Sequence, residues 1–517
     1  MEKITYASLG SLGESFHHSF EEAALRVRSQ LGQSHPMWIN GRSVTSRSNF
    51  PDRSPAHTRL VLGRFAKGSA AQLREAIEGA RKAFPAWRDL GWRQRIVLLR
   101  KAADLINQRQ FELAAVLTLE VGKNRFEAIA EVSETADLIT YYCDQLEKNG
   151  GYEIPMSLSA SETTRSVLKP YGVWGVVSPF NFPMALAGGM AAGALVTGNT
   201  VVFKPASDTP FSGLKIAEIF RDAGLPTGVF HFITGGGGTL GREFLQNPNL
   251  DGLIFTGSRD VGLSLLHEFG QKRPRPCITE MGGKNPAVIM PSANLHHAVE
   301  GVYRSAFGMG GQKCSACSRL YVHRAIHKAF MEMLVAKTES CPIGDPLDRE
   351  TFLGPLINEH AVDVYEHAVR QGKREGRVAY GGHVLKRDGF ERGYFVEPTI
   401  IDRIPKSSSL FQDEFFAPVL AVAEVGSLEE AVRLANDSDY GLTAGIFTED
   451  PAERDQFFRD VEAGVLYCNR RGGATTGAWP GVQSFGGWKC SGSSGKSALG
   501  PHYVTQFMRE QSQTVIH

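Results

Sequence analysis

Between residues 171 and 270 short apolar runs alternate with helical ones, and that rhythm leaves a chain little choice of fold. The apolar runs are YGVWGVVSP (171–179), NTVVFKPA (199–206), GVFHFIT (228–234) and LDGLIFTGS (250–258). Between and after them come NFPMALAGGMAAGALVTG (181–198), TPFSGLKIAEIFRDAG (209–224), a short helix following GGGGTLG, and DVGLSLLHEFG (260–270). Strands apolar throughout need cover on both faces, and strands joined by helices run parallel. The segment therefore predicts a doubly wound α/β sheet, the architecture of nucleotide-binding domains. The Ala/Gly-rich helix must pack closely on its neighbours. GGGTLG fits G-x-G-x-x-G at Gly236, Gly238 and Gly241 directly after a strand, which makes Gly241 a candidate cofactor contact; the same letters also suit an ordinary glycine-rich turn.

One such sheet does not account for 517 residues, so two or more domains are expected. The first fifty residues read as polar and irregular, apart from HPMWINGRSV, a strand, a turn at Asn40-Gly41 and a second strand. Residues 70–150 carry apolar side chains at three- and four-residue intervals and predict helices, with Ser69 as an N-cap. A second α/β stretch covers about 284–480. The tail YVTQFMREQSQTVIH alternates like an exposed strand, which either pairs with another subunit or stays disordered. A net charge of +1 without a Lys/Arg block argues against nucleic acid and anionic membrane as partners. The apolar run Met184 to Val196 is too short to span a bilayer, and MEKITYASLGSLGESFHHSF has no apolar core of a signal peptide.

The stretch FGMGGQKCSACSR (307–319) crowds three glycines and a lysine around Cys314. The seven cysteines are odd in number and scattered, which fits reduced thiols in the cytoplasm rather than a disulfide framework. CSAC has no second C-x-x-C to complete a zinc site, so no metal is expected, and it lies too deep in the chain for a thioredoxin-like pair. Two readings of Cys314 remain on residues alone: a small core residue and a nucleophile.

Eight stretches, in order along the chain, resemble the aldehyde dehydrogenase superfamily. They are SPFNFP (178–183), VVFKPASDTP (201–210), FTGSRDVG (255–262), EMGGKNP (280–286), GGQKCSACSR (310–319), DEFFAPVL (413–420), YGLTAGIF (440–447) and SFGGWKCSG (484–492). The cysteine motif, with EVGKNRFEAIAEVSETAD (120–137) and TGAWPGVQSFGG (476–487), is most similar to the 1-pyrroline-5-carboxylate dehydrogenase branch. The resemblance implies a Rossmann-type cofactor domain (1–151 and 171–283), an α/β catalytic domain (284–480) and a small β oligomerisation element (152–170 and 495–517). It also implies a homodimer or higher homo-oligomer. The implied reaction is NAD- or NADP-dependent oxidation of L-glutamate γ-semialdehyde to L-glutamate in proline catabolism. Succinate semialdehyde or an aliphatic aldehyde is the alternative substrate, and a non-catalytic structural descendant is a further one.

Carried over by position, the resemblance makes Cys314 the nucleophile, with its pKa expected to be lowered by local dipoles or charge. Asn181 becomes an oxyanion donor. Glu280, free to swing beside Gly282-Gly283, becomes the base for deacylation, which marks hydrolysis rather than transfer to CoA. Lys204 falls to the adenosine ribose, Gly257 and Ser258 to the pyrophosphate at a helix start, and Glu414 and Phe416 to the nicotinamide riboside. Ser207 stands where NAD-preferring relatives carry a glutamate, so the cofactor choice is expected to relax toward NADP. For the substrate, Ser315, Gly477 and Ala478 match the carboxylate contacts, Glu134 orders a water near the ammonium, and Phe182 and Phe485 clamp the aliphatic stem. Ala417 replaces a usual glycine, and the loop NRRGGATTGA (469–478) is longer than that branch's.

Overall fold

The computed structural model describes residues 4–6, 8, 12–159 and 161–517. The alternating segment forms a seven-stranded sheet in the order Cys277–Glu280, Gly252–Thr256, Val173–Val177, Thr200–Lys204, Phe230–Phe232, Met37–Ile39 and Arg42–Val44. The first five strands are parallel, and the hairpin that turns at Asn40-Gly41 adds two antiparallel strands at the far edge. Both turn residues have positive φ, 53° and 70°, as a two-residue hairpin turn requires. The chain places Thr200–Lys204 and Phe230–Phe232 on one side of Val173–Val177, then returns to its other side with Gly252–Thr256. That reversal opens a crevice at the carboxyl ends of the central strands, where doubly wound sheets bind ligands. Register brings those ends level: Val177 pairs Lys204 and Phe255, and Thr256 pairs Glu280.

A second seven-stranded sheet runs Arg377–Tyr380, Thr399–Asp402, Val419–Val425, Cys317–His323, Asn285–Ile289, Thr443–Phe447 and Val465–Cys468, parallel except for the first strand. Only residues 281–284 join Cys277–Glu280 of the first sheet to Asn285–Ile289 of the second. The carboxyl edge of one sheet therefore faces the amino edge of the other. Residues just after strands of the first sheet (Asn181, Gly257, Ser258) and just before strands of the second (Cys314, Glu414, Phe416) are drawn to one seam.

The Ala/Gly-rich helix Ala185–Val196 packs on Arg125–Lys148, with every residue of its last ten buried. A Cβ on Gly188 would lie 2.7 Å from the Thr135 methyl, so the close packing depends on its absence. Ser69 caps Ala70–Asp89 through a capping box: the Gln72 N–H donates to Ser69 Oγ at 3.3 Å, and the Ser69 N–H donates to Gln72 Oε1 at 3.0 Å.

Two expectations change. The first fifty residues are not irregular: Glu14–Arg28 is a helix whose Phe16, Phe20, Ala23, Ala24 and Val27 are buried. Its apolar positions keep helical spacing, but two histidines and five charged residues dilute them in a polar stretch. The tail is not disordered, and its strand pairs within its own chain. Met508–Ile516 pairs antiparallel with Glu162–Pro170 over nine residues, and Glu153–Ser159 completes a three-stranded sheet. Residue 160, inside the hairpin, lies outside the described residues.

Candidate active site

Cys314 is reached through a turn that only permissive backbone allows: Met309, Gly310 and Gly311 take φ of 55°, 66° and 65°. The side chain of Asn285, the first residue of its strand, then fixes the loop. Its amide donates to the carbonyls of Cys314 at 2.7 Å and Ala316 at 2.9 Å, and its oxygen accepts the Thr443 N–H at 3.0 Å. The EMGGK segment passes so near that a Cβ on Gly283 would lie 2.4 Å from the Cys314 carbonyl oxygen. Asn285 and Lys284 belong to a motif read for its glutamate alone, so Asn285 as the clamp on Cys314 went unread.

A cavity of ≈ 930 Å³, open to solvent, collects eight of the sequence-derived residues: Cys314, Glu280, Glu134, Phe182, Ser315, Gly477, Ala478 and Phe485. The long loop before Gly477 folds back on itself. Arg470 donates to the Gly477 carbonyl, Thr475 Oγ1 donates to the Ser315 carbonyl at 2.7 Å, and Trp479 Nε1 donates to Asp137 at 2.7 Å. Asn181 lies beside the cavity rather than in its wall. Its amide donates to the Gln312 carbonyl at 3.1 Å, two residues before Cys314, and its oxygen accepts the Phe182 N–H at 3.1 Å. One amide hydrogen thus stays uncommitted by these bonds.

The electrostatics differ from the sequence expectation. The Cys314 thiol is not lowered but pushed up to about 12. Desolvation is the largest cause, then the carboxylates of Glu414 and Glu280; the N–H groups of Ser315 and Cys314 favour the thiolate without outweighing them. Nor is the space beside Gly282-Gly283 open for Glu280. Glu414 fills it, accepting the Gly283 N–H at 2.9 Å, and a Cβ on Gly282 would sit 1.9 Å from its Oε2. Burial lifts Glu414 to about 7 and Glu280 to about 8; a Gly487 N–H offsets the latter in part, and Glu280 Oε2 has no hydrogen-bond partner.

The residues expected to meet a dinucleotide stand at and after the carboxyl ends of the first sheet's strands. Lys204 ends its strand, buried, with Nζ donating to the Pro205 carbonyl at 3.0 Å, and burial lowers it to about 8. Ser207 is exposed in the turn that follows, beside Asp208. Ser258 is the N-cap of Arg259–Phe269 and makes no side-chain cap bond, so the first-turn N–H groups of that helix are available to an anion. Gly241 lies inside the helix Gly237–Gln246, with nothing within 4 Å of where its Cβ would be: room for a ligand rather than a packing contact. Glu414 and Phe416 line a cleft adjoining the cavity, where the Phe416 and Phe180 rings meet edge-on at 5.7 Å. The positive φ there falls on Phe416, not on Ala417, so the alanine methyl meets no backbone strain. Free helix N-terminus, buried lysine and uncrowded glycine-rich helix start suit a pyrophosphate-bridged dinucleotide.

Several cavity residues were missed by the sequence reading, Lys313, Thr476 and Tyr6 among them. Lys313 and Thr476 stood inside quoted motifs and attracted no role; Tyr6 stood in a polar stretch with no motif. Lys313 Nζ lies 3.3 Å from Glu127 Oε1, and Lys123 Nζ sits 3.7 Å above the Phe182 ring while paired with the buried Glu131.

The sequence profile of the aldehyde dehydrogenase family matches residues 38–513. 1-Pyrroline-5-carboxylate dehydrogenase 1 of Halalkalibacterium halodurans is 38% identical over 509 residues, 97% of this chain and 96% of its own. 1-Pyrroline-5-carboxylate dehydrogenase 2 of Bacillus subtilis is 34% identical over 499 residues, 96% and 95% of the two chains. The crystal structure of a Thermus 1-pyrroline-5-carboxylate dehydrogenase with bound NAD superposes with a TM-score of 0.93 at 34% identity, covering 97% of each chain.

Proposed function

The chain belongs to the aldehyde dehydrogenase family, and on that footing we propose that it oxidises L-glutamate γ-semialdehyde to L-glutamate, a step of proline catabolism, through Cys314. It is an NAD(P)-dependent aldehyde dehydrogenase. The observation that carries the substrate is the cavity, where Glu134, Ser315, Gly477 and Ala478 share a wall with Cys314 and Glu280. Backbone N–H groups and a hydroxyl suit a carboxylate; a buried carboxylate suits an ammonium.

A dinucleotide, when bound, would supply the hydride acceptor. An aldehyde carbon gives up hydride poorly, so the Cys314 thiol first yields its proton to solvent water and the resulting Sγ thiolate bonds to that carbon, turning the carbonyl oxygen into an alkoxide that can push hydride out. Asn181 and the Cys314 N–H stabilise that oxygen. Loss of hydride leaves a thioester on Sγ. Glu280 takes a proton from water, the water oxygen bonds to the acyl carbon, the C–S bond breaks, and the thiolate leaves with the carboxylate product.

The test is kcat/KM for glutamate γ-semialdehyde, succinate semialdehyde and hexanal, read at 340 nm. Glutamate γ-semialdehyde is expected to exceed hexanal by at least about 100-fold, ~2.7 kcal/mol. Equal turnover of the two would leave dehydrogenase chemistry standing and remove the substrate.

Ser207 bears on the choice of cofactor. A hydroxyl carries no charge against a 2′-phosphate and has the space to donate to it, so NADP is expected to be used along with NAD. Ser207→Glu is expected to cut kcat/KM for NADP about tenfold or more while NAD changes little. A wild-type preference for NAD above about 100-fold, ~2.7 kcal/mol, overturns this.

The three-stranded sheet leaves Ile154, Met156, Val515 and Ile516 more than half exposed. Exposed apolar side chains on so short a sheet favour docking onto a second copy, so the working form is a homodimer or larger. All seven cysteines are free, which suits the reducing cytoplasm. Among the described residues no helix is long and apolar enough to cross a membrane.

A further inference from the structure

We infer that Tyr6 is a positioning residue of the substrate site, whose hydroxyl holds the Glu134 carboxylate ready for the substrate's ammonium group. This rests on the amino-acid aldehyde proposed above. Tyr6 lies before the first helix, yet its hydroxyl donates to Glu134 Oε2 at 2.8 Å, across 128 residues of sequence. Its ring lies edge-on to Phe182 and to Trp479, with centroids 5.7 Å away in each case and interplanar angles of 82° and 62°. A turn holds the segment: the Ser8 N–H donates to the Thr5 carbonyl at 2.9 Å, and the Thr5 N–H donates to Ser8 Oγ at 3.0 Å. Ile4 and Leu12, on either side, pack against the large core.

Tyr6 stands at a boundary. It lines the cavity that holds Cys314 and also a neighbouring one of ≈ 1120 Å³, which Arg125, Arg304 and Arg349 border. Without Tyr6, Glu134 would face that second space as well. A second link braces the same helix face: Trp479, on which the Tyr6 ring rests, donates to Asp137, three residues from Glu134. Ring and hydroxyl thus act together, one walling the cavity and the other orienting its buried acid.

The chemistry requires such a donor. An ammonium pairs with a carboxylate, not with a carboxylic acid. Burial favours the acid form, and Glu134 is lifted to about 8, chiefly by desolvation and next, in the opposite sense, by the Tyr6 hydrogen bond. A hydroxyl donated to one oxygen stabilises the charged form and leaves the other oxygen for the substrate.

Tyr6→Phe keeps the ring and removes the donor. The informative pair of aldehydes is glutamate γ-semialdehyde and glutarate semialdehyde, which differ only in the amino group. The expected result is a rise of about tenfold in KM for glutamate γ-semialdehyde, with kcat changed less than about threefold and glutarate semialdehyde shifted less than about threefold in kcat/KM. Calorimetric titration with L-glutamate and with glutarate gives a readout apart from turnover, and the variant should weaken only L-glutamate. A parallel loss on both compounds, or no change on either, overturns the inference. A wild-type enzyme that does not favour glutamate γ-semialdehyde over glutarate semialdehyde fails earlier, at the substrate reading itself.

Discussion

Cys314→Ser is expected to lower kcat by at least about 10³-fold, ~4 kcal/mol of barrier, with dinucleotide affinity within about twofold of wild type. The reason is the order of events: hydride leaves only after a nucleophile has bonded to the aldehyde carbon. A serine hydroxyl ionises far less readily than a thiol and is a poorer nucleophile at any accessible pH. The site gives it no relief, since burial, and after it the Glu414 and Glu280 carboxylates, already push the thiol of Cys314 up to about 12. Ligands that displace or neutralise those carboxylates remove part of the penalty on an anion there. Glu414 is the one placed to move, since a hydrogen bond from the Gly283 N–H holds it in space that Gly282 leaves vacant. The measurement is steady-state absorbance at 340 nm with saturating aldehyde, beside calorimetric titration of the dinucleotide. A variant that keeps more than about a tenth of wild-type kcat, within ~1.4 kcal/mol, removes Cys314 from the role.

What the sequence made legible were residues whose chemistry is bound to a local frame. Cys314 and Glu280 each sit beside glycines that bring two backbones together, and such glycines are visible in a string. Lys204, Gly257 and Ser258 could be placed because alternating strands and helices fix which residues reach a carboxyl edge. The helix Glu14–Arg28 was missed because its apolar stripe is sparse, and packing against the core rather than propensity holds it. Tyr6 was missed because a contact across 128 residues leaves no local trace. The pKa of Cys314 moves against expectation for the same reason. Its neighbours in sequence are glycines and a lysine, while the fold buries its thiol and, next in weight, brings carboxylates from positions 414 and 280 against it. Asn285 shows the intermediate case: it stood in a recognised motif, but only the fold shows its amide gripping the carbonyls of Cys314 and Ala316.

Glu280→Gln is expected to turn a steady enzyme into one that stops after a single turnover. Acylation should survive. Glu280 raises the Cys314 pKa by its charge, so its neutral replacement favours the thiolate if anything. Hydrolysis should not survive, because glutamine cannot take a proton from water. With hexanal and NAD the expected trace is a burst of about one reduced cofactor per active site, then a steady rate at least about 10²-fold below wild type, within the range for removal of a general base. Mass spectrometry of the quenched protein should show one hexanoyl group on Cys314. The wild-type pH profile follows from the same carboxyl. Burial lifts Glu280 to about 8, so at lower pH it is mostly the acid, which accepts no proton. Where hydrolysis limits turnover, kcat should therefore climb about tenfold per pH unit up to about 8 and then level, since the base form grows in that proportion. The glutamine variant should lack this limb, having nothing there to titrate. An undiminished steady rate with no acyl adduct would take Glu280 out of the mechanism, and the water would need another base.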